Sequence, residues 1–274
     1  MIIGIDIGST TTKAVTLVEG KVLKKVKTKA DDAVTSATGA FGKMILENGI
    51  KMSEISRIMI TGAGATKIEG ELFGIPTEKV NEITAIGTGG MYLSGKENII
   101  IANIGTGTAI IEARKNGIIH LGGSGVGGGT ILGLAKKLLS LSDFKDIMKL
   151  ADSGNLDQVD LLLEDIMAMN FSFLNKKTTA SNFGKLLDTA GNEDIALGIL
   201  NLVYQVIGMI AVFAARSRNI DRVIVTGSGS YNPIGQKILA DITRMYSIAF
   251  EYPDDAEYTT AVGAGLCGEK GELL

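Results

Sequence analysis

An acid, a lysine and four hydroxyls crowd into residues 4–13, "GIDIGSTTTK". An apolar run delivers Asp6, a turn follows at Gly8, then come Ser9, Thr10, Thr11 and Lys13. Glycine lets the backbone approach a ligand closely, and successive N–H groups in such a turn point at phosphate oxygens. A carboxylate at a strand end can hold Mg2+ through water, and Lys13 adds positive charge. The same residues also suit an ordinary hairpin turn with a surface acid, and this motif alone does not choose. The run "NIGTGT" at 103–108 repeats the arrangement with Gly105, Thr106, Gly107 and Thr108. Two such turns can grip a polyphosphate from both sides.

A third cluster, "GGSGVGGGT" at 122–130, carries Gly125, Gly127, Gly128 and Gly129 ahead of an apolar helix. Unpaired N–H groups and the helix dipole make such a terminus an anion site; the alternative is a flexible loop. Lys136 and Lys137 come too late for a Gly-Lys-Ser/Thr phosphate loop. In "VIVTGSGS" at 223–230, Gly227 and Ser228 end a strand and suit contact with an adenosine. The run "AVGAGL" at 261–266 suits either nucleotide contact or tight helix packing. His120, the single histidine, lies on a strand between the second and third clusters. It either faces the acceptor end of the cleft or is a core histidine satisfied by backbone bonds.

The elements that would position these residues follow from periodicity and punctuation. Strands are expected at 2–7, 12–18 and 22–28, with a turn at Gly20-Lys21. Asp31 or Asp32 caps a helix ending at Asn48 before Gly49. A strand at 57–60 leads to "TGAGA", another helix, a short strand ending near Val80, and a helix over 82–94. The pattern then restarts: strands at 99–104 and 109–114, a turn at Asn116-Gly117, a strand at 118–121 and a helix over 127–140. Helical stretches, broken by the polar run at 153–155, are expected to about Ala168, then a long buried helix over 194–218. A strand at 222–226, a helix, a strand at 248–252 and a last helix complete the chain. This duplication predicts an α/β protein of two similar βββαβαβα lobes, 1–95 and 96–274, with a ligand cleft between them. The last helix is a candidate to pack back on the N-terminal lobe.

Composition narrows the classes. Of 274 residues, 45% are apolar, ample for a sizeable core. The net charge is −3 with no basic stripe, which argues against nucleic acid. One thiol, Cys267, makes neither an internal disulfide nor a zinc site, so a reducing, cytoplasmic location is expected. The start, "MIIGIDIGST", lacks the pattern of a signal peptide. Residues 195–215 are long and apolar enough for a membrane span, but Asn201, Tyr204 and Gln205 interrupt them. A buried core helix, and no membrane, is the expectation.

In this order, the motifs resemble the actin-like (ribonuclease H-like) ATPase superfamily: "DIGSTTTK" its first phosphate motif, "NIGTGT" its second, "VTGSGS" its adenosine motif. Within it the chain is similar to the type II pantothenate kinases. The most specific parts are "ANIGTGT" and "GGSGVGGGTILGL", with "LAKKLLSLSDFKDIMKLADSGNLDQVDLLLEDI" and "TASNFGK" at 179–185 in support. The resemblance implies a dimer of two-lobed subunits that uses ATP and Mg2+ to phosphorylate the primary hydroxyl of pantothenate, or a related hydroxy acid. It also puts Glu82, in "EITAIGTG", in the place of the family's general base; from the residues alone Glu82 reads as a charge suited to a helix start. The acceptor side implied is Glu82, Thr106, Ala109 and His120. Two of these depart from the family, which has a serine in place of Ala109 and a carboxylate-binding arginine in place of His120. "GIDIGSTTTKAV" and "NEITAIGTGG" also resemble the activator ATPases of 2-hydroxyacyl-CoA dehydratases and benzoyl-CoA reductases. Those bind a [4Fe–4S] cluster through cysteines that this chain lacks.

Overall fold

The computed structural model describes residues 1–29, 32–166 and 176–270. The chain opens with β1 (Ile2–Ile7), β2 (Thr11–Val18) and β3 (Lys21–Lys29). Next comes α1 (Ala33–Asn48), whose first turn is capped by the Asp32 carboxylate accepting from the Thr35 N–H. Gly49 ends it in the left-handed region. Asp31, the other candidate cap, lies outside the described residues. After β4 (Arg57–Thr61) and β5 (Thr77–Lys79) comes α2 (Glu82–Ser94), capped by Asn81 and closed by Gly95.

The second half repeats the start: β6 (Ile99–Ile104), β7 (Thr108–Arg114), β8 (Gly117–Ser124), then α3 (Gly128–Leu139). Then follow α4 (Phe144–Ala151), β9 (Leu161–Leu162), α5 (Leu163–Ile166) and β10 (Thr179–Ser181). The chain closes with α6 (Asn192–Ser217), β11 (Arg222–Thr226), α7 (Pro233–Tyr246), β12 (Ala249–Glu251) and α8 (Thr259–Lys270).

Each half builds a five-stranded mixed sheet, β3-β2-β1-β4-β5 and β12-β11-β6-β7-β8. Three antiparallel strands are followed by two parallel ones in both, in the same spatial order, so the duplication is one of topology. Two expected helices differ. The segment after "TGAGA" forms only a 3-10 turn, Ala63–Lys67. Positive φ at Gly70, Phe73 and Gly74 then keeps that connection non-helical. The break expected at 153–155 follows α4, but beyond it the helical pattern gives way to β9, which pairs antiparallel with β10, before the short α5; residues 167–168 are outside the described residues.

The two halves exchange their last helices. On α2, Gly87 abuts Ile118 and Gly90 abuts Ile101, both on the second sheet. On α8, Ala261 and Gly265 abut Gly4 of the first sheet, and Gly268 abuts Met59. Between the sheets α2 and α8 touch through backbone: a Cβ at Gly89 would lie 2.0 Å from the Thr259 carbonyl oxygen, and one at Gly263 1.7 Å from that of Ala85. The six residues "AVGAGL" are all buried in this packing rather than opened to a ligand.

On the far side of the second sheet, α6 is the central helix of the largest apolar cluster, with thirteen of its 26 residues buried. It is the one described helix long and apolar enough to cross a membrane. The polar side chains within its apolar stretch, 195–215, bond inward. Asn201 donates to Asp160 (2.7 Å), the Tyr204 hydroxyl to the Gly229 carbonyl (2.7 Å), and Gln205 accepts from Asn182 (3.4 Å).

Candidate functional site

The tips of both sheets converge on one cleft. Alternation along β1 sends Ile3, Ile5 and Ile7 toward α1 and leaves Gly4 and Asp6 on the face toward α8. Asp6 pairs with Lys13 across β2 and with Thr61 across β4. On the second sheet Ile99, Ile101, Ala109 and Ile118 pack toward α2, so Asn103 and His120 share that face. The central helices thus lie between the faces that carry Asp6 and Asn103.

The two short phosphate-type turns touch. Ser9 Oγ and Thr106 Oγ1 share a 2.6 Å hydrogen bond. Each turn is closed by one backbone bond, Gly8 N–H to the Thr11 carbonyl (3.2 Å) and Gly105 N–H to that of Gly107 (2.9 Å). The N–H groups of Ser9, Thr10, Thr106 and Gly107 make no hydrogen bond among the described residues. Four unspent donors on two adjoining turns have the arrangement that can receive an anion.

Sequence reasoning placed Thr108 and Gly127–Gly129 on the ligand; here they bond within the protein. Thr108 Oγ1 donates to the Val126 carbonyl (2.9 Å). The first N–H groups of α3 are spent on the second turn, Gly128 to the Gly105 carbonyl (2.9 Å) and Gly129 to that of Thr106 (2.8 Å). Any side chain at Gly127 would collide, since a Cβ there would lie 2.7 Å from the Gly107 carbonyl oxygen. These glycines therefore brace the 105–108 turn with a helix end. Gly125 is linked to the brace by the Thr130 hydroxyl donating to its carbonyl (3.2 Å). The Gly227 N–H is likewise spent, on the Ala256 carbonyl (2.9 Å), while Ser228 is exposed.

Asp6 accepts no hydrogen bond from the described residues, and burial pushes its carboxyl up to about 6, with the Glu82 charge adding to the rise and Lys13 opposing it. Lys13 is 6% exposed and held below the usual lysine range by that burial, with Asp6 and Glu257 opposing. Glu82, the first residue of α2, is also pushed up by burial. His120 differs from a core histidine: on edge strand β8 it is exposed and bonds to no described residue. Two neighbours escaped the sequence reading. Thr61 and Gly62 close over Asp6, and the available signal was the repeat of "TGAGA" (61–65) as "TGSGS" (226–230) after matching strands.

A half-buried acid with a raised pKa makes a stability prediction. Its folded value, about 6, lies above the ordinary 3.8. The folded state therefore holds the extra proton between these values, and stability falls as pH rises through that window. With nucleotide and divalent cations absent, Asp6→Asn should be as stable as the parent near pH 4. It should gain about 3 kcal/mol above pH 7. Thermal midpoints across that range check this, and a variant less stable than the parent at pH 7 would contradict it.

A family model described as Fumble matches residues 98–264. A type II pantothenate kinase of Bacillus cereus is 32% identical over 274 residues, covering 96% of both chains. Among solved structures, the activator of the 2-hydroxyisocaproyl-CoA dehydratase from Clostridium difficile, with bound ADPNP, aligns at TM-score 0.70 and 18% identity, covering 100% of this chain and 98% of that one. A ROK family glucokinase from Streptomyces griseus, in complex with glucose and AMPPNP, aligns at TM-score 0.62 and 14% identity, covering 98% and 99%. The structural likenesses identify an actin-like ATPase fold.

Proposed function

The chain belongs to the type II pantothenate kinase family, and from that premise we propose that it transfers the γ-phosphoryl group of ATP to the primary hydroxyl of pantothenate. The observation that carries this is the pair of adjoining turns with four unspent N–H donors, set beside Asp6, Lys13 and Glu82. The polyphosphate lies against Ser9, Thr10, Thr106 and Gly107, with Gly8 and Thr11 shaping the first turn and Lys13 adding charge. Gly125, Gly127, Gly128, Gly129 and Thr108 keep the second turn in place; Gly227 and Ser228 flank the adenosine. The bond from Pγ to the bridging oxygen breaks, a bond from Pγ to the acceptor oxygen forms, ADP leaves, and Glu82 takes the hydroxyl proton. Desolvation raises its pKa, which strengthens the carboxylate as a base.

Mg2+ fits Asp6. The carboxylate is half-buried, has no hydrogen-bond partner among the described residues and resists ionisation, so a cation's charge would relieve it. Mg2+ takes few carboxylates and keeps waters and phosphate oxygens, and Asp6 would hold it through water. Bound there, the ion neutralises charge on the polyphosphate. A homodimer and a cytoplasmic site rest on the family resemblance and on the lone, buried Cys267.

The acceptor end is where this chain departs from its family. Ala109 occupies the register position that Lys13 has in the first sheet, since Ile104↔Thr108 and Asn103↔Ala109 repeat Ile7↔Thr12 and Asp6↔Lys13. His120, exposed and unbonded, is left to meet the acceptor's carboxylate with one hydrogen bond where an arginine would make two. His120→Ala should raise KM for pantothenate about 10-fold, with KM for ATP nearly unchanged; His120→Arg should lower KM for pantothenate. Equal small effects on both substrates would remove His120 from the acceptor site.

The higher TM-score of the dehydratase activator keeps a second reading in view, ATP hydrolysis that drives a shape change. Against it, the chain's only cysteine is buried in α8 beside Thr88, which leaves no thiolate pair for an iron–sulfur cluster. ADP release measured with no acceptor, then with pantothenate, pantetheine or glucose, separates the readings. Release that requires pantothenate is expected; equal release without any acceptor would favour the activator.

A further inference from the structure

The two sheets carry the same turn twice. Thr61 lies beside Asp6 across the parallel β1–β4 pair, and Thr226 lies beside Asn103 across β6–β11. Gly62 and Gly227 follow with φ of 85° and 81°. Each then packs on the same kind of atom. A Cβ at Gly62 would lie 2.7 Å from Asp6 Oδ1 and 2.8 Å from the Ile7 carbonyl oxygen. One at Gly227 would lie 3.0 Å from Asn103 Oδ1 and 2.5 Å from the Ile104 carbonyl oxygen. Two residues further on, Gly64 and Gly229 sit on Ile7 Cγ2 and Ile104 Cγ2.

The turns differ in one bond. Thr226 Oγ1 donates to Asn103 Oδ1 at 3.0 Å. Thr61 is fully buried, yet its hydroxyl has no hydrogen-bond partner among the described residues. A buried hydroxyl left unpaired is costly, on the order of 1–3 kcal/mol, and the group that its twin bonds to is, here, the unbonded carboxylate of Asp6. Keeping such a hydroxyl is unfavourable in the resting protein, where a methyl of the same shape would serve packing as well.

We propose that Thr61 is a positioning residue, whose hydroxyl donates to the Asp6 carboxylate when the cleft is loaded with Mg2+ and nucleotide. This rests on the reading of Asp6 as the group that holds Mg2+ through water. The bond fixes one carboxylate oxygen and turns the other toward the cation's water shell. A hydrogen bond to a charged group is among the stronger kinds, so its formation couples the ordering of Asp6 to the arrival of the cation. The second sheet shows the bonded state of the same device, with an amide in place of the acid.

Thr61→Val removes the hydroxyl and keeps the shape; Thr61→Ser keeps the hydroxyl. In the protein free of ligands, Thr61→Val should hold or raise the thermal midpoint, because it removes an unpaired buried group. Calorimetric titration of ATP at increasing Mg2+ should then show that Thr61→Val needs about 10-fold more Mg2+ for half-maximal tight binding, while ATP binding without Mg2+ is unchanged. Thr61→Ser should return the parent's Mg2+ dependence. Asp6→Asn should lose that dependence, and adding Thr61→Val to it should change nothing further. If Thr61→Val keeps the parent's Mg2+ dependence while Asp6→Asn loses it, the role of Thr61 is refuted and that of Asp6 stands. If Asp6→Asn also keeps the dependence, the reading of Asp6 itself fails. A drop in thermal midpoint with unchanged Mg2+ dependence would make Thr61 a packing residue only.

Discussion

Asp6→Asn is expected to lower kcat for ATP-dependent phosphorylation about 10²–10³-fold, the range for removing one preorganised charge from a transition state. The substitution keeps the side chain's shape at a position closed in by Lys13, Thr61 and Gly62, so the fold should survive. What disappears is the negative charge that balances a cation against the polyphosphate. The same variant should be the more stable protein above pH 7, because the raised pKa of Asp6 marks a carboxylate that the fold alone does not stabilise. A gain in stability beside a loss of turnover is the signature of a group retained for chemistry. The two are measured in one preparation, thermal midpoints without ligands and turnover at saturating Mg2+ and ATP. Turnover within a few-fold of the parent would remove Asp6 from the site.

Glu82→Gln should lower kcat about 10²-fold or more while leaving ATP binding intact. Glu82 is the first residue of α2, and Asn81 already caps that helix by accepting from the N–H groups of Ile83 and Thr84. The helix start therefore does not depend on the Glu82 carboxylate, and loss of its charge should cost little stability, a few tenths of a kcal/mol from the dipole. The split between the readings is sharp. A general base shows up in kcat, whereas a helix-start charge shows up only in a small shift of thermal midpoint. A variant with normal kcat would return Glu82 to that structural role.

The strands and turns that carry Asp6, Ser9 and Thr106 were legible because their signals are local. An apolar run, a glycine and small hydroxyls report a strand end whatever lies elsewhere. The cap at Asp32 and the stop at Gly49 are local too. The exchange of α2 and α8 between the sheets was only half visible. Small residues make the last helix a candidate to pack back on the N-terminal lobe, as α8 does, but nothing local tells that α2 approaches the second sheet. The spending of the Gly128 and Gly129 N–H groups could not be read at all, since it depends on the carbonyls of Gly105 and Thr106, in a separate turn beyond two intervening strands. The segment after "TGAGA" was read as a helix because its pattern is locally permissive. Positive φ at Gly70, Phe73 and Gly74 settles it otherwise. For His120 the sequence leaves two places open, the acceptor end of the cleft or the core: strand periodicity gives its face, while only the sheet order shows that β8 is an edge.

The most direct test follows the phosphoryl group itself. The protein is incubated with ATP labelled at the γ-phosphorus, Mg2+ and pantothenate, and the labelled products are separated. The two-turn grip, the cation at Asp6 and the base at Glu82 together predict label in a phosphate ester of pantothenate, in step with ADP. Label found only as inorganic phosphate, at the same rate with and without pantothenate, would contradict the account.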